Sequence, residues 1–211
     1  MKPELNTSRV TKKRAFLGNI TSMIREKACE MCMDDDLIFD VGCGNGLFFA
    51  LLNQTSLKKV KFVGLDYSEY LLNEAKNIFD DNGVKDFKLI KGDIFMLPFK
   101  YETFKRVTCL NTILNIPTIE KVEKLLIGLM NVCSPDGKIL IDVRNRLNPC
   151  IRLKYWHHSK KAEFPTIAYG LNDIYDILNK HGFRVVKQIA IGIPFILTAS
   201  AFVLEVEKIK R

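Results

Sequence analysis

Three aspartates and three glycines carry the chemistry of this sequence. Asp40, Asp66 and Asp93 stand at the ends of apolar runs, and Gly42, Gly44 and Gly46 follow the first of them at every second position. Glycine permits positive backbone angles and leaves no Cβ where a ligand approaches the main chain. A helix opening near Asn45 or Gly46 points free N–H groups at the same place. The turn therefore predicts a ligand with an anionic or strongly accepting group. Asp66 comes 24 positions after Gly42 and closes the second apolar run. A carboxylate there accepts from both hydroxyls of a ribose, which makes the ligand adenosine-like. The competing reading is that Asp66 merely caps the helix region at Ser68. A dinucleotide fits less well, because Leu47 stands where a third glycine of G-x-G-x-x-G belongs and no hydride-transfer constellation accompanies it.

These residues need strands and helices to position them, and the periodicity supplies both. Leu37–Val41, Val60–Leu65, Phe87–Ile90, Arg106–Leu110, Lys138–Val143, Arg184–Ile191 and Ala199–Val206 read as seven strands. Between them, helices are predicted from the glycine turn to Asn53, from a Ser68 cap to Asn82-Gly83, over Ile119–Asn131, and over Leu171–His181 with Gly182 as the stop. A loose arm at residues 1–11 leads into an amphipathic helix over Lys12–Met33, and Pro135-Asp136-Gly137 is a turn signal. Alternating strands and helices predict an α/β fold, with a Rossmann-like, mostly parallel seven-stranded sheet covered by helices on both faces. The last two strands lack an intervening helix and predict an antiparallel hairpin at one edge. Residues 1–211 form one domain on this reading, and 144–170 is an aromatic and basic insertion that follows strand five.

Composition narrows the function classes. The 211 residues are 47% hydrophobic and 27% charged, ordinary for one globular domain. The longest apolar stretch, Ile189–Phe202, is short and broken by Gly192 and Pro194, and Met1–Asn6 has no apolar signal core. A cytoplasmic protein without membrane insertion is expected. Cys29 and Cys32 form a single C-x-x-C with no second pair and no spaced histidines, so reduced helix-face thiols are expected and no metal site. The formal charge of +8 is spread over Lys12-Lys13-Arg14, Lys58-Lys59-Lys61 and Lys208-Lys210-Arg211. Such dispersed clusters read as a solvated surface more readily than as a nucleic-acid face.

Taken together, the motifs resemble those of class I S-adenosylmethionine-dependent methyltransferases of the small-molecule type. Asp40-Val41-Gly42-Cys43-Gly44-Asn45-Gly46 is similar to the family's glycine motif, Gly64-Leu65-Asp66-Tyr67-Ser68 to its ribose motif and Gly92-Asp93-Ile94-Phe95 to its adenine motif. Cys109–Leu114 and Ser134–Lys138 resemble the fourth-strand motif and the turn before strand five. The resemblance implies S-adenosylmethionine as cofactor, leaving as S-adenosylhomocysteine. It implies that backbone at Gly42, Gly44 and Gly46, with Cys43 and Asn45 between them, approaches the methionine portion, and that Asp40 helps hold its ammonium. It further implies Asp66 on the ribose, Tyr67 against the adenine, Asp93 and the Ile94 N–H on the adenine edge, and Asn111 backbone beside the sulfonium.

The acceptor side departs from the pattern. Many members carry a histidine shortly after strand four, and Asn115 stands there instead. Asparagine cannot act as a base at neutral pH but can orient a hydroxyl or carboxylate. The other candidates lie in the insertion: His157 or His158 as a base, and Arg144, Tyr155, Trp156 and Tyr169 as acceptor contacts under a lid. Its positive charge suits a small anionic or sugar-type acceptor, methylated on oxygen or nitrogen. The N-terminal helix is expected to cover the cofactor, with Phe16 and Ile20 as contacts. RNA or protein methylation, and cofactor binding without turnover, are the alternatives.

Overall fold

A computed structural model describes residues 20–56, 59–159, 166–193, 195 and 197–210, with only the backbone of 157–159. In chain order the elements are α1 Ile20–Cys32, β1 Leu37–Val41, α2 Leu47–Thr55, β2 Lys61–Asp66, α3 Glu69–Asp81, β3 Phe87–Lys91 and β4 Phe104–Cys109. A single 3₁₀ turn, Ile113–Asn115, precedes α4 Ile119–Val132 and β5 Cys133–Arg144. The chain closes with α5 Pro149–Ser159, α6 Leu171–Lys180, β6 Phe183–Gly192 and β7 Ala199–Lys208.

The seven strands form one sheet in the order β3-β2-β1-β4-β5-β7-β6. β3, β2, β1, β4 and β5 run parallel, and β7 pairs antiparallel with both β5 and β6. The chain first winds outward from β1 through β2 to β3 and then returns to β4 on β1's other side. That reversal opens a crevice beyond the carboxyl ends of β1 and β4, where ligands of open α/β sheets lie.

Each face of the sheet buries its own cluster. On one face Ile38, Phe62 and Leu140 meet α1, α2, α3 and α5, with the Phe49 and Phe62 rings stacked 4.2 Å apart. On the other, Phe39, Val107, Ile139 and Ile141 meet α4 and α6. Ser68 caps α3 by accepting from the Leu71 N–H, and Thr118 caps α4 by accepting from the Lys121 N–H.

One expectation about the elements needs correction. The turn at Pro135–Gly137 is instead an irregular part of β5: Phe104 pairs with Cys133 and Arg106 with Lys138, so β4 spans in two residues what β5 spans in five. Within 144–170, where the sequence pattern marked no element, Pro149–Ser159 forms a helix. Asn148 starts α5, its Oδ1 accepting from the Cys150 and Ile151 N–H groups at 2.9 and 3.2 Å, and Ile151 and Tyr155 face the core. The expected N-terminal arm, the first part of its helix and Phe16 lie outside the described residues; Ile20 is core. His181, at the end of α6, ties it to α4, its Nε2 lying 2.9 Å from Glu123 Oε1. No helix among the described residues is long and apolar enough to cross a membrane.

Candidate active site

A cavity of about 570 Å³ fills the crevice, within the usual size for a small-molecule site. Its floor is the glycine turn. Gly42 and Cys43 donate N–H bonds to Leu65 O at 2.7 and 3.1 Å, tying the end of β1 to the end of β2. Gly42 (φ +78°) must lack a side chain, because a Cβ would fall 2.4 Å from Thr112 Oγ1. At Gly44 (φ +53°) a Cβ would meet no protein atom, so the space above this residue belongs to the cavity. Gly46 differs from both. It precedes α2 with φ +69°, and a Cβ there would strike the Phe79 ring at 2.5 Å. Gly46 is therefore a packing glycine between α2 and α3 and does not line the cavity.

The acids divide the work. Asp66 is buried and accepts from Gly44 N–H at Oδ2 and from Ser68 N–H at Oδ1, both at 2.9 Å. It thus braces the glycine turn and the α3 cap together, while each oxygen keeps a further lone pair. Asp93 Oδ1 accepts from Phe95 N–H at 2.8 Å, and its Oδ2 has no partner among the described residues. Asp40 is buried and takes a 2.6 Å bond from Thr108 Oγ1 on the paired strand. Burial pushes its carboxyl up to about 7, helped by the nearby Asp66 charge and opposed by Thr108 and Arg25.

The cavity brings together Asp40, Gly42, Cys43, Gly44, Asn45, Asp66, Tyr67, Asp93, Ile94 and Asn111, and also the catalytic candidate Asn115. Asn111 holds an unusual backbone, φ +55°. Its N–H donates to Asp142 Oδ1, and its side-chain Oδ1 accepts from Arg144 Nη2 at 2.6 Å. Asn115 Nδ2 in turn reaches Asn111 O at 3.4 Å.

The acceptor candidates separate. Arg144 is buried behind Asn111, 3.8 Å from Asp142, and lines neither cavity. Tyr169 is also buried, its hydroxyl donating to Ile116 O at 2.5 Å, so it fixes the loop after β4. Tyr155 and Trp156 line a second cavity along α5. The side chains of His157 and His158 lie outside the described residues.

Sequence reasoning missed Arg25, Thr112 and Lys121, which also line the cavity. Arg25 sits at the edge of the apolar stripe of α1, and burial lowers its pKa against the attraction of Asp40. A cation flanking Ile24 and Ala28 was the available signal, although only the docking of α1 on the sheet turns it inward. Cys29 and Cys32 are core residues. Burial raises both thiols, Cys29 to about 12, and Cys29 Sγ lies 3.7 Å from Phe48 O. Among the described residues no group of three His, Cys, Asp or Glu side chains is placed to hold a metal ion.

Comparison with known proteins agrees with this geometry. A family model described as a methyltransferase domain matches residues 34–182. A demethylmenaquinone methyltransferase of Lactobacillus johnsonii is 32% identical over 136 residues, 63% of this chain and 53% of that protein. One from Bacillus subtilis is 30% identical over 101 residues, 48% of this chain and 42% of its own. The chain thus spans about half the length of the curated relatives it matches. Among solved structures, an S-adenosylmethionine-dependent methyltransferase from Clostridium acetobutylicum shares the fold, with TM-score 0.68 at 17% identity over 96% of this chain and 94% of that one. So does a magnesium protoporphyrin IX methyltransferase from Synechocystis with bound S-adenosylhomocysteine, at TM-score 0.65 and 19% identity over 90% and 81%. The chain belongs to the methyltransferase-domain family and has the fold of S-adenosylmethionine-dependent methyltransferases.

Proposed function

We propose that the protein methylates an oxygen or nitrogen of a small, anionic or sugar-type molecule, with the cofactor lying along the cavity from Asp93 to Asn111. The observation that carries this reading is the cavity's two-ended polarity. Asp66 and Asp93 stand at the ends of β2 and β3 and supply acceptors on one side, while Asp40 and Asn111, at β1 and β4, with Arg25 close to Asp40, supply charge and backbone on the other. The open space above Gly44, which a Cβ would occupy, fits a cofactor lying close to the main chain.

When bound, S-adenosylmethionine supplies a sulfonium methyl group that is already electrophilic. The chain's own residues bind and orient. Asp66 accepts from the ribose hydroxyls with the lone pairs left over from Gly44 and Ser68, and Tyr67, 68% exposed, covers the adenine. Asp93 Oδ2 and the Ile94 N–H meet the adenine edge. Arg25 pairs with the methionine carboxylate and Asp40 with the ammonium, which favours the ionised form of Asp40. Asn115 orients the acceptor. Holding the nucleophile in line and excluding water is the remaining contribution. The curated relatives are named for demethylmenaquinone, which supports a small-molecule acceptor.

The test is transfer of label from methyl-labelled cofactor to a fractionated cell extract. Label in the small-molecule fraction is expected. Label in RNA or protein alone would overturn the reading.

A further inference from the structure

The second cavity, about 820 Å³, runs along α5 and is not used by the cofactor reading. α5 is sided in two ways. Ile151 and Tyr155, four residues apart, face the core. Pro149, Arg152, Leu153 and Trp156, at the i, i+3, i+4, i+7 spacing of one helical stripe, all line the cavity. Leu153 is 67% exposed and Trp156 59%, so this stripe shows large apolar surface beside a guanidinium. Arg146 adds a second guanidinium, and no carboxylate among the described residues lines the cavity. Arg152 has no ion pair among the described residues, and Arg146 has only a 3.9 Å contact with Asp173 in which both side chains are largely exposed. Such a contact holds a cation weakly.

The opposite wall joins this groove to the cofactor cavity. Ile167 lines the groove, and its N–H donates to Leu114 O at 2.7 Å. Leu114 belongs to the 3₁₀ turn whose neighbours Asn115 and Ile116 line the cofactor cavity. This hydrogen bond sets the wall of the groove directly beside the turn that lines the cofactor cavity.

We propose that this groove holds the distal part of the methyl acceptor. The acceptor would be an amphipathic molecule with a phosphate or carboxylate bound by Arg146 and Arg152 and an apolar body laid on Leu153, Trp156 and Ile167. Guanidinium groups select planar or tetrahedral oxyanions through paired N–H donors. The inference rests on the proposed function for what happens at the other end of the molecule, but not for the binding itself.

Trp156 is the chain's single tryptophan, so its fluorescence reports on the groove alone. Titration of the full chain with monomeric dodecyl phosphate is expected to shift Trp156 emission to the blue, saturably. Arg152→Gln should weaken that binding by about ten- to a hundredfold, the worth of a charge-assisted hydrogen bond. The same variant should bind S-adenosylhomocysteine in a calorimeter as the parent does. Loss of that cofactor binding in the parent would refute the cofactor reading and leave the fluorescence result to judge the groove. An equal response to dodecyltrimethylammonium or dodecyl maltoside would overturn the proposal, as would no response to any of them. Binding to phosphatidylglycerol vesicles without binding of monomeric dodecyl phosphate would also overturn it and make the stripe a membrane-docking face.

Discussion

Asp40 sits at the end of β1 with its carboxyl pushed to about 7 by burial, and this has consequences for both stability and binding. An unfolded aspartate ionises near pH 4. Between about pH 4 and 7 the unfolded chain loses a proton that the fold retains. Asp40 therefore contributes stability that is fully present below pH 4, is lost as the pH rises to 7 and is level above it. Thermal melts of cofactor-free Asp40→Asn should show a stability gain over the parent that widens across this window and then plateaus; parallel curves would contradict the burial argument. Pairing with an ammonium favours the carboxylate, so cofactor binding at pH 6 should release a proton. Calorimetric enthalpies at pH 6 should then depend on the buffer's ionisation enthalpy and converge by pH 8.5. Arg25 lies at the same end of the cavity. Arg25→Gln should weaken cofactor binding by about ten- to a hundredfold, measured by the same calorimetry, since a charged hydrogen-bond partner is removed.

The turn between β1 and α2 shows how one motif serves two ends. Gly44→Ala meets no protein atom and should lower stability by only about 1–2 kcal/mol for its left-handed backbone, while its Cβ enters the space that opens above the turn. Gly46→Ala combines the same strain with a clash on Phe79, and should lower the melting temperature by roughly 5–15 °C. Scanning calorimetry with and without S-adenosylhomocysteine separates the two: lost ligand stabilisation at position 44, lost intrinsic stability at position 46. The three glycines look alike in sequence because each needs a positive φ. Which of them borders the cavity and which borders Phe79 is decided by α3, further along the chain. Elements with local signals were legible, among them the Ser68 cap, the Gly182 stop and the alternation of strands and helices. The Pro135–Gly137 turn signal was overridden by pairing with β4. α5 was hidden because only Ile151 and Tyr155 mark its core stripe, although Asn148-Pro149 carries a helix-start signal. The residues that meet in the cavity were legible for the same local reason: Asp40, Gly44, Asp66 and Asp93 all sit at or just beyond strand ends. Arg25 and the buried Arg144 were not, since their surroundings come from segments distant in sequence.

At the scale of the whole molecule, the end of the sheet away from the cavity is closed by one buried cation. Arg106 on β4 donates to Asp35 before β1 at 2.7 Å, to Glu205 on β7 at 2.9 Å and to Met31 O at the end of α1 at 3.3 Å. Removing one partner of a buried ion pair leaves the others uncompensated and costs about 3–5 kcal/mol. Arg106→Ala should therefore lower the melting temperature by on the order of 10 °C, and the purified variant should still bind cofactor, because no member of the clasp lines the cavity. The cavity lies at the opposite ends of the strands, where Asp66 braces the glycine turn and is proposed to hold the cofactor's ribose. The most direct measurement is a calorimetric titration of the parent and of Asp66→Asn with S-adenosylhomocysteine. One site is expected in the parent and a loss of about ten- to a hundredfold in the variant; an unchanged affinity in Asp66→Asn would contradict the ribose role of Asp66.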